Sequence, residues 1–136
     1  MSEGAPSVLA VTDTVALFTR YVDRLEARDW PGVEDVLHPD VVYRLPQTRE
    51  VVRGRDAYLR WNREYPDVWH LSLVAAYGDA TGGAARLRVA IDGQDDDVDA
   101  LVFVAVADGR LVEITDWWPT PYEPDPARAH LVTREE

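Results

Sequence analysis

Asp116 stands in the stretch Ile114-Thr115-Asp116-Trp117-Trp118. Alternation along an extended strand places Val112, Ile114, Asp116 and Trp118 on one face. A carboxylate held among such neighbours is poorly solvated, so its pKa rises and it becomes a better base toward a carbon-bound proton. Leu111, Glu113, Thr115 and Trp117 form the other face, which is also partly apolar, so alternation leaves open which face lines a cavity. The competing reading makes Asp116 a surface carboxylate or the partner of an arginine. Tyrosine is the second chemical group: Tyr21 or Tyr43 would donate a hydrogen bond to a developing enolate oxygen. In the bland alternative Tyr21 fills the core with its hydroxyl at the edge. His70 is a further acid–base candidate because imidazole titrates near neutrality. It alternates with Trp69 and Leu71, which leaves it facing either cavity or solvent.

Metal and thiol chemistry find little support. The chain has no cysteine, which excludes disulfides, thiolate nucleophiles and cysteine zinc sites. His38, His70 and His130 lie far apart, and no HExxH-like spacing joins them. Asp95-Asp96-Asp97 with Asp99 reads as a solvated hairpin turn, since a calcium loop needs more ligands and a glycine at a set position. No metal and no cofactor is expected.

At 136 residues the chain fits one domain with a real core, and 46% hydrophobic residues suit a globular protein. A formal charge of −11 disfavours nucleic acid and anionic membrane surfaces as partners. Residues 1–6 carry neither a basic nor an apolar signal region, and no run reaches transmembrane length, so a cytoplasmic protein is expected.

The elements that must position these groups follow from periodicity. Val11, Val15, Phe18, Val22 and Leu25 mark a first amphipathic helix, with apolar periodicity beginning near Val8. Asp29 caps a short second helix with Pro31 in its first turn. Val41–Leu45 reads as a strand, Gln47–Arg53 as a loop, and Arg55–Tyr65 as a third helix bearing Tyr58, Leu59 and Trp61. Four strands follow, over Val68–Tyr77, Ala84–Ile91, Val98–Ala107 and Arg110–Trp118, with Asp108-Gly109 as a two-residue hairpin turn. Helices before an antiparallel meander indicate an α+β fold. Residues 8–120 form the expected domain. Residues 1–7 are expected to be flexible, and the proline-rich tail 121–136 extended rather than helical.

Several short motifs stand in a characteristic order: Glu26-Ala27-Arg28-Asp29-Trp30, Leu37-His38-Pro39-Asp40-Val41, Val52-Arg53-Gly54-Arg55, and Asp108-Gly109-Arg110-Leu111-Val112 leading to Asp116-Trp117-Trp118. From about residue 12 to 120 the chain resembles the SnoaL-like, ketosteroid-isomerase-related branch of the nuclear transport factor 2-like superfamily. The resemblance implies a cone: three helices packed on a strongly bent, mostly antiparallel sheet around a cavity open at one end. It also implies a register in which Tyr43, Leu45, Asp99, Leu101, Phe103, Ile114, Asp116 and Trp118 point inward, with Tyr58 and Trp61 in the wall. Tyr21 matches the isomerases' oxyanion-binding tyrosine. The isomerases' base matches Leu45 and their second acid Leu101, so that mechanism is not supported. Asp116 matches the base that SnoaL-like polyketide cyclases carry on the final strand.

The resulting expectation is a small cofactor-independent enzyme of isomerase, cyclase or dehydratase type. It would act on an apolar or polycyclic carbonyl compound, which five tryptophans in so short a chain would suit. Gln47, Asn62 and Tyr65 would supply polar contacts at the cavity mouth. The alternative is a non-catalytic ligand-binding or dimerisation domain. A homodimer is expected through an outward row of Leu111, Thr115 and Trp117.

Overall fold

A computed structural model describes residues 5–135, with side chains from Thr14 onward. Helix α1 runs Ala5–Glu26, α2 Trp30–Val36 and α3 Arg55–Arg63. The strands are β1 Leu37–Leu45, β2 Glu50–Arg53, β3 Trp69–Gly78, β4 Gly82–Ile91, β5 Val98–Ala107 and β6 Arg110–Trp117. They form one sheet in the order β2-β1-β6-β5-β4-β3, antiparallel throughout except where β1 lies parallel to β6. Helices on a curved mixed sheet make this an α+β fold. Of the expected flexible N-terminus, residues 1–4 lie outside the described residues.

Local chemistry accounts for the elements. Leu17, Phe18, Tyr21, Val22 and Leu25 are the buried stripe of α1. Asp29 caps α2 by accepting from the Gly32 amide at 3.1 Å, with Pro31 in the first turn. Gly32 leaves room for that cap, since a Cβ would lie 2.3 Å from Asp29 Oδ2 and push the carboxylate aside. Asp108 and Gly109 both take positive φ, 55° and 72°, as a two-residue hairpin turn demands.

The structure corrects four expectations. Strand β2 lies within the stretch expected to be loop, pairing with β1 from Val42↔Arg53 to Leu45↔Glu50. Strand β1 begins at Leu37, four residues early, because a register irregularity between Leu37 and Val42 accommodates Pro39. Leu111 is fully buried rather than outward: a bulge opposite Ala105 and Val106 resets the alternation, so Leu111 and Ile114 both face the core. The tail is extended only as far as Asp125, after which Pro126–Leu131 forms a 3-10 helix. Proline is tolerated at a helix's first position, and the Asp125 carboxylate caps the turn at the Ala127 amide, 2.9 Å away.

The largest correction concerns β5. Ala100, Val102 and Val104 face the core, while Leu101 and Phe103 are 37% and 49% exposed on the outer face. Asp99 also turns outward, where Arg86 (2.6 Å) and Arg88 (3.7 Å) hold it. The expected inward register is therefore off by one. Both faces of Val98-Asp99-Ala100-Leu101-Val102-Phe103 carry apolar residues, so alternation could not choose between them. Small side chains fit the inner face, where the space beyond them forms the cavity.

Candidate active site

Between α1, α3 and the inner face of the sheet lies a cavity of about 420 Å³. Leu25, Leu45, Leu87, Val89, Ala100 and Val102 give it an apolar base, and Tyr21, Tyr43, Tyr58, Trp61, Tyr65, Trp69 and Trp118 form aromatic walls. Gln47, Thr48, Glu50, Asn62 and Thr120 supply its remaining polar lining. The volume is in the range of small-molecule sites, about 300–1,000 Å³.

Asp116 lines this cavity from β6, directly across from Val102 of β5. Tyr43 reaches it from β1, and its hydroxyl donates to Asp116 Oδ2 at 2.5 Å. Among the described residues no arginine or histidine forms an ion pair with Asp116. Burial pushes its carboxyl up to about 6, against the opposing pull of the Tyr43 hydrogen bond. Desolvation wins because one neutral donor replaces less than a full hydration shell. The carboxyl therefore changes charge just below neutral pH, with Oδ2 committed to Tyr43.

Three tyrosine hydroxyls gather around it. Those of Tyr21 and Tyr58 hydrogen-bond to each other, deep in the core. Burial raises the pKa of Tyr21, and the neighbouring Tyr58 and Asp116 raise it further. Tyr43 and Tyr58 are raised by burial first and by the Asp116 charge second. All three stay protonated and act as donors. In the Tyr21–Tyr58 pair one proton bridges the two oxygens, which leaves one for a ligand oxygen. The Tyr43 ring packs against Tyr58 at 4.6 Å, tilted by 36°, and meets Trp61 at 5.7 Å, and Trp61 meets Tyr65 edge-on at 5.6 Å. These contacts fix the angle from which the Tyr43 hydroxyl meets the carboxylate.

Ten of the residues singled out from sequence line the cavity: Tyr21, Tyr43, Leu45, Gln47, Tyr58, Trp61, Asn62, Tyr65, Asp116 and Trp118. Ile114 is fully buried and does not line the cavity. Asp99, Leu101 and Phe103 are excluded by the β5 register given above. His70 is excluded too. Trp69 takes the inner face of β3, so His70 points out, with Nδ1 3.3 Å from Glu26 and Nε2 3.0 Å from Asp92. Sequence reasoning missed Ala100, Val102, Leu87 and Val89. Their strand pairings, Leu87↔Ala100 and Ala85↔Val102, carry the information, and pairing register is not written in a single strand.

One cavity wall is held from behind. Arg28, at φ 57° just after α1, lays its guanidinium over the Trp69 ring, 3.6 Å from the centroid. The same group donates to the Leu25 carbonyl at 3.1 Å and to the Trp69 carbonyl. Replacing Arg28 with Leu removes the cation–π contact, both of these bonds, a third to the Glu26 carbonyl (3.2 Å) and the ion pair with the Glu26 carboxylate (3.5 Å). A loss of about 1–3 kcal/mol is expected, read as a lower denaturant midpoint at unchanged slope. An unchanged midpoint would show that Trp69 needs no such support.

Similarity to other proteins fits this geometry. A sequence profile of the SnoaL-like domain matches residues 18–114. A proposed ketosteroid isomerase from Kribbella flavida is 39% identical, with a TM-score of 0.86 over 93% of this chain and 92% of that one. Two more distant proteins share the fold alone. An LEH-like epoxide hydrolase from Mycobacterium tuberculosis has 16% identity and a TM-score of 0.69, over 80% and 84% of the chains. A proposed polyketide cyclase from Sinorhizobium meliloti has 17% identity and a TM-score of 0.66, over 75% and 94%. No functionally curated protein matches. The profile match and the Kribbella flavida relative, which aligns over nearly the whole chain, make this protein a member of the SnoaL-like domain family with a nuclear transport factor 2-like fold.

Proposed function

We propose that the protein is a cofactor-independent enzyme that removes a proton from the carbon next to a carbonyl group, with Asp116 as the base. The observation that carries this reading is a carboxylate with no ion-pair partner among the described residues, gripped at one oxygen by Tyr43 inside an apolar cavity. In the reaction, the free oxygen of Asp116 takes the proton. The electron pair moves onto the carbonyl oxygen, and the Tyr21–Tyr58 pair donates a hydrogen bond to the resulting enolate. Return of the proton to a different carbon gives isomerisation, and loss of a β-hydroxyl, which takes the proton back from Asp116 and leaves as water, gives dehydration. Attack of the enolate carbon on a second carbonyl gives cyclisation.

This differs from the ketosteroid-isomerase arrangement. Leu45, which lines the cavity, is by the resemblance the counterpart of those isomerases' base. The cavity-lining residues of β5 are Val98, Ala100 and Val102, none of which supplies a second acid. The proposal therefore assigns the chemistry to one carboxylate on the last strand.

Proton exchange tests it without knowledge of the natural substrate. A panel of cyclic and polycyclic ketones in deuterated buffer should lose α-protons faster with the protein than without. Ketones that bind, by saturation-transfer NMR, yet exchange only at the buffer rate would contradict catalysis. That outcome would favour a second reading, which Asp116 also supports: an ionised carboxylate in an aromatic box suits retention of an apolar amine as its cation.

A further inference from the structure

A second concavity adjoins the first. It is a groove of about 520 Å³ between β2 and α3, lined by Glu50, Val52, Ala57, Arg60, Trp61, Glu64, Tyr65 and Pro66. Glu50, Trp61 and Tyr65 belong to both, so the two spaces meet at the edge-on Trp61–Tyr65 pair. The pairing Tyr43↔Val52 puts the groove's Val52 and the site's Tyr43 on the same face of the sheet.

From this continuity we infer that the binding site is bipartite: the reacting carbonyl end sits in the cavity, and an uncharged apolar tail lies in the groove beyond Trp61. This rests on the reading of the cavity as a site for an apolar carbonyl compound. Chemistry along the groove selects the tail. Val52, Ala57, Trp61, Tyr65 and Pro66 present carbon surface, and Tyr65 remains 38% exposed. On its rim Arg60 is already paired with Glu64 at 2.7 Å, while the Glu50 carboxylate accepts from the Thr48 hydroxyl at 2.6 Å and keeps its negative charge. An anionic tail would have to displace Glu64 from Arg60 and would face the Glu50 carboxylate; an alkyl or aryl tail only displaces water. The substrate class is thereby narrowed to elongated carbonyl compounds with one apolar arm.

A homologous series of methyl ketones, from hexyl to hexadecyl, tests the inference through quenching of tryptophan fluorescence. In the wild-type protein affinity should rise roughly threefold to fourfold per methylene, and keep rising after the cavity is full. Ala57→Phe, at an exposed position of α3, fills the groove. It should abolish the gain for long ketones while leaving short ones unchanged, which also shows that the variant folds. Glu64→Phe is a second block at the same groove. Affinity that levels off at one chain length in all three proteins would overturn the bipartite site. Absence of binding at every length would remove the cavity reading itself, and this inference with it.

Discussion

Asp116→Asn should abolish proton abstraction and at the same time stabilise the protein at neutral pH. Asparagine keeps the size of the side chain and an oxygen to accept from Tyr43, but it cannot take a proton. A rate loss of about 10²–10⁴-fold is expected, the usual contribution of a positioned base. The stability gain follows from linkage. The Asp116 carboxyl has an ordinary value of 3.8 and is raised to about 6 in the fold. Below the ordinary value it is neutral in both folded and unfolded chains, and its burial carries no charge penalty. As pH rises toward 6 the unfolded chain ionises first, and the folded state loses that relative stability in full above 6. The penalty at pH 7.5 is on the order of 2–3 kcal/mol. Melting Asp116→Asn beside wild type should show a gain of several degrees at pH 7.5 that disappears near pH 4. The same shift at both values, or none at either, would contradict a desolvated carboxyl.

Tyr43→Phe should move the acid limb of the activity profile to higher pH. The ionised carboxylate is the active form of the base, so wild-type activity should rise with pH through about 6 and then level off. The Tyr43 hydrogen bond favours that ionised form against desolvation. Without it, half-maximal activity should move up to roughly 7 or beyond, since a hydrogen bond to a charged group contributes about 1.5–3 kcal/mol. At pH 6 the variant should be about tenfold slower or worse, and much of the loss should be recovered above pH 8. A uniform loss across the pH range would instead make Tyr43 a wall residue whose removal only loosens packing.

What could be read from the sequence follows physical lines. The helices were legible because Phe18, Val22 and Leu25 repeat with helical period and Asp29 caps with side-chain chemistry. Asp108-Gly109 was legible because few other pairs take two positive φ values. Asp116 and Tyr43 were placed by the resemblance, which supplied the sheet face that alternation left open. The errors cluster where a strand is apolar on both faces. Leu101 and Phe103 are larger and more hydrophobic than Ala100, yet they lie outside, because the inner face of β5 must leave the cavity empty. Leu111 was misplaced by a bulge, and no periodic rule anticipates an inserted residue. His70 was open in principle, and the burial of Trp69 on the opposite face decided it. The groove beside Trp61 is invisible in the sequence, because the mixed-charge stretch that forms β2 has the composition of a loop and signals no second wall.

Proton abstraction by Asp116 depends most directly on the titration of this one carboxyl. Carboxyl-carbon NMR of protein labelled at aspartate, with the Asp116→Asn variant to assign the signal, reads it without any substrate. The expected result is a single Asp116 resonance titrating near 6 and moving upward in Tyr43→Phe. Titration near the ordinary aspartate value of 3.8, unmoved by Tyr43→Phe, would contradict the claim that the cavity holds a base tuned by burial and one tyrosine.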